Sequence, residues 1–320
     1  MLGIGKHLAR IQIDGNKGLL RDRVKAWWEG YELVEQGPQR RAMDLGLDHD
    51  VRYERAEEFW ETSRLRLVQE VWGEGFSLPG GADYILNMIK FFGLNPAHSV
   101  LDLGAGLGGA SRTMCERFGV WVTGLEADQD LAEAAMALSV KAGMGKKAPI
   151  HHFDPETFEY KAKSVDCVFS KEFLFSVKNK KGFLEWVEIL MKAKGQLLFT
   201  DYVYTERHVR SPDVDKWIEN EPMGAHPWSI EDYQETFADL HLDIRVTEDI
   251  TESFQRMVTQ GWADYIRAAS KTGIPDEIAP ALVDEVEIWT RRMQAIDSGG
   301  IKVCRLHVMK ADTETLMSDW

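Results

Sequence analysis

Cysteine is scarce: Cys115, Cys167 and Cys304 are the only three, they lie far apart, and their number is odd. They form neither a disulfide framework nor a spaced metal-ligand pattern, so they suit a reducing, cytoplasmic setting and no metal site is expected. Long apolar runs are missing as well. No stretch of about 18 uncharged apolar residues occurs, which excludes a membrane-spanning helix of the usual kind. Residues 1–7 lead into no sustained apolar segment, so no secretory signal is read. Basic residues are outnumbered, with a formal net charge of −14. A duplex-binding protein needs a basic face, so nucleic acid is not an expected partner. Repeats and low-complexity tracts are absent too.

What is present is ordinary globular composition, 44% hydrophobic and 28% charged, in a length of 320 residues that suits one large domain or one plus an appendage. Tryptophan stands out at 11 residues. Packing is the plain reading of that excess, and an aromatic box around an alkylated cation is the sharper one. Before residue 98 the apolar spacing is helical, over 17–31 and again over 52–71, with a break at Gln36-Gly37-Pro38. From there strands and helices alternate. Strands are expected at 99–103, 120–125, 149–153, 165–169 and 196–200, with helices at 110–118, 128–142 and 180–191 between them. Asp128 is a candidate N-cap, and Ser229-Ile230-Glu231-Asp232 opens a further helix with a capping-box pattern. A strand at 242–246, helices at 252–269 and 276–295 and a last strand at 301–309 complete the chain. The βαβα succession predicts an α/β fold, a parallel sheet covered on both faces.

The strongest local signal is Val100-Leu101-Asp102-Leu103-Gly104-Ala105-Gly106-Leu107-Gly108-Gly109, a strand delivering a glycine turn into a helix. Gly104 and Gly106 let backbone approach a ligand closely, while Gly108 or Gly109 lets the helix pack on the strand. Such a turn alone also fits dinucleotide enzymes. Asp102 disfavours a pyrophosphate there and suits the ammonium of a methionine-type cofactor. Glu126 ends the second strand 20 residues after Gly106, and its two oxygens can accept both ribose hydroxyls. Ala127 follows it, and Asp154 after the third strand is placed to accept from an adenine amino group or to cap its own turn.

With these residues in place, roughly residues 65–310 resemble a class I S-adenosylmethionine-dependent methyltransferase. The resemblance implies a Rossmann-like, seven-stranded, mostly parallel sheet. It also implies a helical N-terminal extension or lid over 1–75, a cofactor domain over 76–311 with a helical insertion at about 250–297, and a tail at 312–320. Within that class the pattern is similar to the phosphoethanolamine methyltransferases. Their F-G-x-x-[FY]-x-S-x-G-G ahead of the glycine loop corresponds to Trp72-Gly73-Glu74-Gly75-Phe76-Ser77-Leu78-Pro79-Gly80-Gly81, with Leu78 at the family's serine position, and Gly80-Gly81 with their neighbours would lie over the methionine part of the cofactor. Ser170-Lys171-Glu172 corresponds to their S-R-D, and Thr200-Asp201-Tyr202 to their S/T-D-Y. The departures lie in the acceptor site. The family's catalytic histidine falls on Ser176, its aspartate on Glu172, the tyrosine that pairs with the histidine near Trp60, and a second tyrosine near Val68.

The reaction implied is transfer of a methyl group from S-adenosylmethionine to a small acceptor, leaving S-adenosylhomocysteine. The nitrogen of an amine or phosphobase leads. Sulfur or oxygen acceptors, a lipid or sterol-like acceptor near Met257, Trp262, Trp289 and Met293, and a catalytically silent cofactor-binding protein are the alternatives. The candidates for acceptor chemistry are Glu172, Tyr202 and His226, with Tyr53 and Trp228 as further neighbours. The cofactor-binding set expected is Gly80, Gly81, Asp102, Gly104, Gly106, Gly108, Glu126, Ala127, Asp154, Ser170 and Lys171. A homodimer through the N-terminal helices is the expected assembly.

Overall fold

A computed structural model describes residues 10–13, 32–35, 60, 62–207 and 209–311. Strands β1 (Arg10–Ile13) and β2 (Glu32–Glu35) form a separate parallel pair. That pair corrects the wholly helical reading of the N-terminal region. The helix expected over 17–31, the dimer arm built on it, and Tyr53 lie outside the described residues. The helix read from 52–71 is described as α1 (Thr62–Trp72), followed by α2 (Gly81–Met88).

The main sheet begins at β3 (Ser99–Leu103), whose last four residues are all buried because layers cover both of its faces. It continues through β4 (Trp121–Glu126), β5 (Ile150–His152), β6 (Val165–Lys171), β7 (Met191–Tyr204), β8 (Trp228–Ser229), β9 (Leu242–Asp249) and β10 (Ile301–Lys310). The strand order is β5-β4-β3-β6-β7-β10-β9, the seven-strand path expected, and the two-residue β8 adds an eighth strand beside β7. Strands β3 to β8 pair in parallel, whereas β10 runs antiparallel to both β7 and β9.

The connecting helices are α3 (Gly109–Phe118), α4 (Gln129–Lys141), α5 (Lys180–Leu190), α6 (Pro212–Asn220), α7 (Ile230–Asp239), α8 (Thr251–Thr272) and α9 (Ala279–Asp297). The period-two alternation of a strand sorts its side chains between two cores. Leu101 and Leu103 pack with Phe183 and Val187 of α5 and Phe237 of α7. Val100 packs with Met88 of α2 and Met114 of α3. A third cluster joins α1, α6, α8 and α9 above the carboxyl ends of the strands. Here Trp72 meets Trp289 at 4.8 Å and Trp262 at 5.9 Å between ring centroids. These buried tryptophans pack helix on helix, which is the plain reading of their abundance.

Two caps were legible. The Asp128 side chain accepts from Leu131 N at 3.0 Å, and Ser229 and Asp232 form a reciprocal capping box at the start of α7. Replacing Ser229 by alanine is expected to cost about 1 kcal/mol, because the Asp232 N–H loses its acceptor in a buried setting. Calorimetric melting should show this as a fall of about 2–4 °C.

Candidate active site

The site lies where the order turns outward from β3 to β6, at the carboxyl ends of the strands, the place an open α/β sheet leaves a crevice. β3 ends in a turn whose first two amides, Gly104 N and Ala105 N, both donate to Leu125 O at 2.9 and 3.0 Å. Gly104 has φ +70, and a Cβ there would sit 2.3 Å from the Phe173 ring. Gly106 has φ +55, and its Cβ would meet Ser77 Oγ at 2.4 Å. At Gly104 the Phe173 ring leaves no room for a side chain, and at Gly106 the left-handed backbone favours glycine. The two glycines thus close a narrow backbone cradle between the loop, Ser77 and Phe173.

Asp102 is buried beneath this loop and accepts from Ser111 Oγ at 2.6 Å. Burial pushes its carboxyl up to about 6, with the Ser111 hydrogen bonds pulling the other way. Glu126 is also buried. Its Oε2 accepts from Gly106 N at 2.7 Å and its Oε1 from Asp128 N at 3.1 Å. Burial raises it to about 7 against those same hydrogen bonds. One carboxylate therefore ties the end of β4 to the glycine loop.

A cavity of about 1150 Å³ starts at Glu126, Ala127 and Asp128 and passes Gly104, Gly106, Leu78 and Lys171. It then continues past Glu172, Phe175, Ser176 and Tyr202 to a far wall from α6, α9 and the segment after α6. It exceeds the roughly 300–1,000 Å³ usual for one ligand, so it has room for two. A smaller recess beside it is lined by Gly81, Asp102 and Lys171.

Glu172 sits at the end of β6 with φ +45, a strained backbone for a non-glycine residue and a common mark of a functional position. Its Oε1 accepts from Thr200 Oγ1 at 2.8 Å and its Oε2 from Lys171 Nζ at 2.5 Å, all within the protein interior. Tyr202 is 1% exposed, and its ring meets Phe175, Trp217 and Phe254 at 5.1, 5.5 and 5.7 Å. Its hydroxyl has no hydrogen-bond partner.

The structure brings Gly81, Asp102, Gly104, Gly106, Glu126, Ala127, Lys171, Glu172 and Tyr202 into the walls of these two spaces. Four expected binding residues stand behind the walls. Gly80 caps α2 and Gly108 caps α3, both in the left-handed region. Ser170 donates to Leu103 O at 2.9 Å, strapping β6 to β3. Asp154 is exposed and caps its own turn, accepting from Glu156 N at 2.9 Å and Thr157 Oγ1 at 3.2 Å, while its neighbour Pro155 lines the cavity. His226 is likewise outside the lining. Its ring is exposed, and its backbone N–H donates to Phe175 O at 2.7 Å. Partial burial, then Lys180 and Lys178, hold that imidazole below the ordinary histidine value. Exchanging His226 for alanine should leave acceptor turnover within about twofold, since the backbone does the anchoring; initial-rate measurements check this. Trp60 and Ser176, where the resemblance puts a tyrosine and a histidine, both line the cavity, whereas Val68 is buried away from it.

Sequence reading missed the far wall. Arg292 grips Glu221 through two hydrogen bonds at 2.9 and 2.7 Å, and Arg64 of α1 bonds Glu285 of α9. The Trp217 and Trp289 indoles brace the same carboxylates, at 2.8 and 2.9 Å. Burial would lower Arg292, but the Glu221 carboxylate outweighs it and raises the guanidinium; for Arg64 burial wins over Glu285 and the value falls.

A parallel sheet with one inserted antiparallel strand, a glycine turn after the first core strand and an acid ending the next define the class I methyltransferase fold. The family model described as mycolic acid cyclopropane synthetase matches residues 83–295, well over half of the chain. The chain belongs to that family. Among curated proteins it is similar to phosphoethanolamine N-methyltransferase 3 of Arabidopsis thaliana, 24% identical over 75% of this chain and 48% of the relative. It thus spans about half the length of the curated relatives it first matches. Among solved structures, Haemonchus contortus phosphoethanolamine N-methyltransferase 2 in complex with S-adenosyl-L-methionine superposes with a TM-score of 0.72 at 19% identity, covering 83% of this chain and 61% of that one. Geranyl diphosphate C-methyltransferase from Streptomyces coelicolor A3(2) gives 0.53 at 16% identity, covering 72% and 75%. The same fold therefore occurs with acceptors of very different size.

Proposed function

We propose that this chain is an S-adenosylmethionine-dependent methyltransferase acting on the nitrogen of a small amine or phosphobase. The observation that carries the reading is one continuous cavity lined by Glu126, the glycine cradle, Glu172 and Tyr202. The residues suit the cofactor: a buried acid at the end of β4 for ribose hydroxyls, backbone too close to Phe173 for any Cβ at Gly104, and the Asp102 carboxylate beside the Gly81 recess for an ammonium. When bound, S-adenosylmethionine supplies a sulfonium methyl for a nucleophile's lone pair, the S–C electrons returning to sulfur.

The protein's own contribution is position and exclusion of water. Phe173 and Phe175 close the cavity around the acceptor end, and the Leu174–Ser176 turn is held by Phe175 N donating to Asp201 at 2.8 Å. Tyr202 orients the acceptor nitrogen through its hydroxyl. An acceptor arriving as ammonium loses its proton to water, which frees the lone pair, while the Glu172 carboxylate paired with Lys171 holds the negative charge of the wall in place. Among the described residues no helix is long and apolar enough to cross a membrane.

The test is label transfer from S-adenosylmethionine to pools of amines, thioethers and phenols, alongside calorimetric titration with S-adenosylhomocysteine. Binding with transfer to amines supports the reading. Failure to bind S-adenosylhomocysteine would remove it.

A further inference from the structure

The acceptor end of the cavity is walled by charge that is already matched. Lys171 is held by Glu172, Arg292 by Glu221 and Arg64 by Glu285, and all six side chains are buried. Each carboxylate also takes a neutral donor: Thr200 on Glu172, Trp217 on Glu221, Trp289 on Glu285. These second bonds fix the acids in place. A guanidinium that swung away to a new anion would strand a buried carboxylate, which is strongly unfavourable.

The balance of the wall is acidic. Among the described residues, apart from Glu126 and Asp128 beside the glycine loop, the lining holds four basic side chains against six acidic ones. Arg291 lies against Glu287 at 3.5 Å, which leaves Glu219 and Asp284 as a negative surplus at the rim. Recognition of a phosphate needs several charge-assisted donors aimed at its oxygens. Of the cations in the described wall, three are held by buried carboxylates, and the fourth, Arg291, stands 3.5 Å from the exposed Glu287. An ammonium meets the opposite conditions: the acidic surplus of Glu219 and Asp284 and the aromatic side chains of Phe175 and Tyr202 in the lining.

Resting on the methyltransferase reading above, we infer that the acceptor is a free, cationic amine that carries no phosphate, selected by the three locked acid–base pairs and the acidic rim. The pairs act by withholding their cations, and the phosphobase branch of the proposed function is thereby removed. The methyl-transfer chemistry is unchanged: the ammonium loses its proton to water before the nitrogen attacks, and Glu172 stays paired with Lys171.

The experiment compares initial rates of label transfer to matched pairs of acceptors: ethanolamine with phosphoethanolamine, their mono- and dimethylated forms, and further primary, secondary and tertiary amines with their phosphate esters. The free amine of the best-labelled pair is expected to exceed its phosphorylated partner by about tenfold or more in kcat/KM. Ten-millimolar-range inorganic phosphate should not compete with it. In Glu221→Gln, which loosens the hold on Arg292, the ratio should move toward the phosphorylated partner by about tenfold. Should that variant fold poorly, the wild-type ratio alone decides. A phosphorylated member that is the better acceptor, or a panel in which no free amine is labelled, overturns the inference. S-adenosylhomocysteine titration, run in parallel, separates the two failures: a protein that does not bind it defeats the methyltransferase reading, and one that binds it but prefers phosphate esters defeats this inference alone.

Discussion

Replacing Glu126 by glutamine is expected to weaken S-adenosylhomocysteine binding about 100-fold and to remove most of its pH dependence. The carboxylate accepts two backbone N–H groups, from Gly106 and Asp128. An amide of the same shape can accept one and must point its own N–H2 at the other. Charge-assisted hydrogen bonds to ribose hydroxyls would be lost as well. Bonds of this kind contribute about 1.5–3 kcal/mol each, and about 2.7 kcal/mol corresponds to 100-fold in affinity.

The sign of the pH effect follows from burial. In the free protein Glu126 holds its proton up to about pH 7, above the ordinary 4.5. A folded-state value raised in an acid contributes stability that is full below the unfolded value and is lost as pH rises through about 7. Cofactor binding needs the ionised form, so wild-type affinity should improve about tenfold between about pH 6 and about pH 8. The glutamine variant should keep only the shallower acid limb of Asp102, whose carboxyl titrates near 6. Calorimetric titrations across that range check both statements. A flat wild-type profile would show that Glu126 is not the ribose acceptor.

The glycine loop, the strand before it and the cap after Glu126 were legible because their patterns are local. Residues 99–103 form β3 as read, since a short apolar run that ends in Gly104 has few other options. Asp128 caps α4 for the same local reason. Strand β7 was not legible in full. It was read over 196–200 yet runs over Met191–Tyr204, because Lys192 to Gly195 look like a polar turn. Lys194 does take φ +62 there, but pairing with β6 carries the strand through a register shift between Val165 and Cys167. Its far end is strand because Tyr202 and Val203 find partners on β10, a contact set by topology.

The acceptor wall failed to announce itself for a related reason. Arg64 and Glu285 are separated by 221 residues, and Glu221 and Arg292 by 71. Charged residues on amphipathic helices read as solvated faces until the helices are docked. The one local trace is a tryptophan four residues from each acid, Trp217 before Glu221 and Trp289 after Glu285. On a helix that spacing lets an indole N–H reach a carboxylate, and it marks the acid as turned inward. His226 misled in the opposite direction. A loop histidine draws attention by residue type, whereas its contribution here is a backbone hydrogen bond to Phe175.

Tyr202→Phe should separate stability from catalysis. The hydroxyl is buried without a partner, a condition that costs about 1–3 kcal/mol for a polar group, so its removal should leave the melting temperature unchanged or raise it. The ring contacts with Phe175, Trp217 and Phe254 survive the change. Turnover should respond differently. Burial, against Arg292 and with Glu172, Glu221 and Asp201, raises the phenol well above its ordinary value. The phenol therefore stays protonated and acts by orienting the acceptor nitrogen, not by taking its proton. Loss of one such contact, made at full strength only when acceptor and donor are aligned, should lower acceptor kcat/KM about 10–100-fold. S-adenosylhomocysteine affinity should stay within about twofold, since Tyr202 lies on β7 and Glu126 ends β4, with β3 and β6 between them. Scanning calorimetry, label-transfer kinetics and ligand titration on one preparation read all three quantities. A variant that melts earlier and turns over normally would return Tyr202 to the core and leave the orphaned hydroxyl without a task.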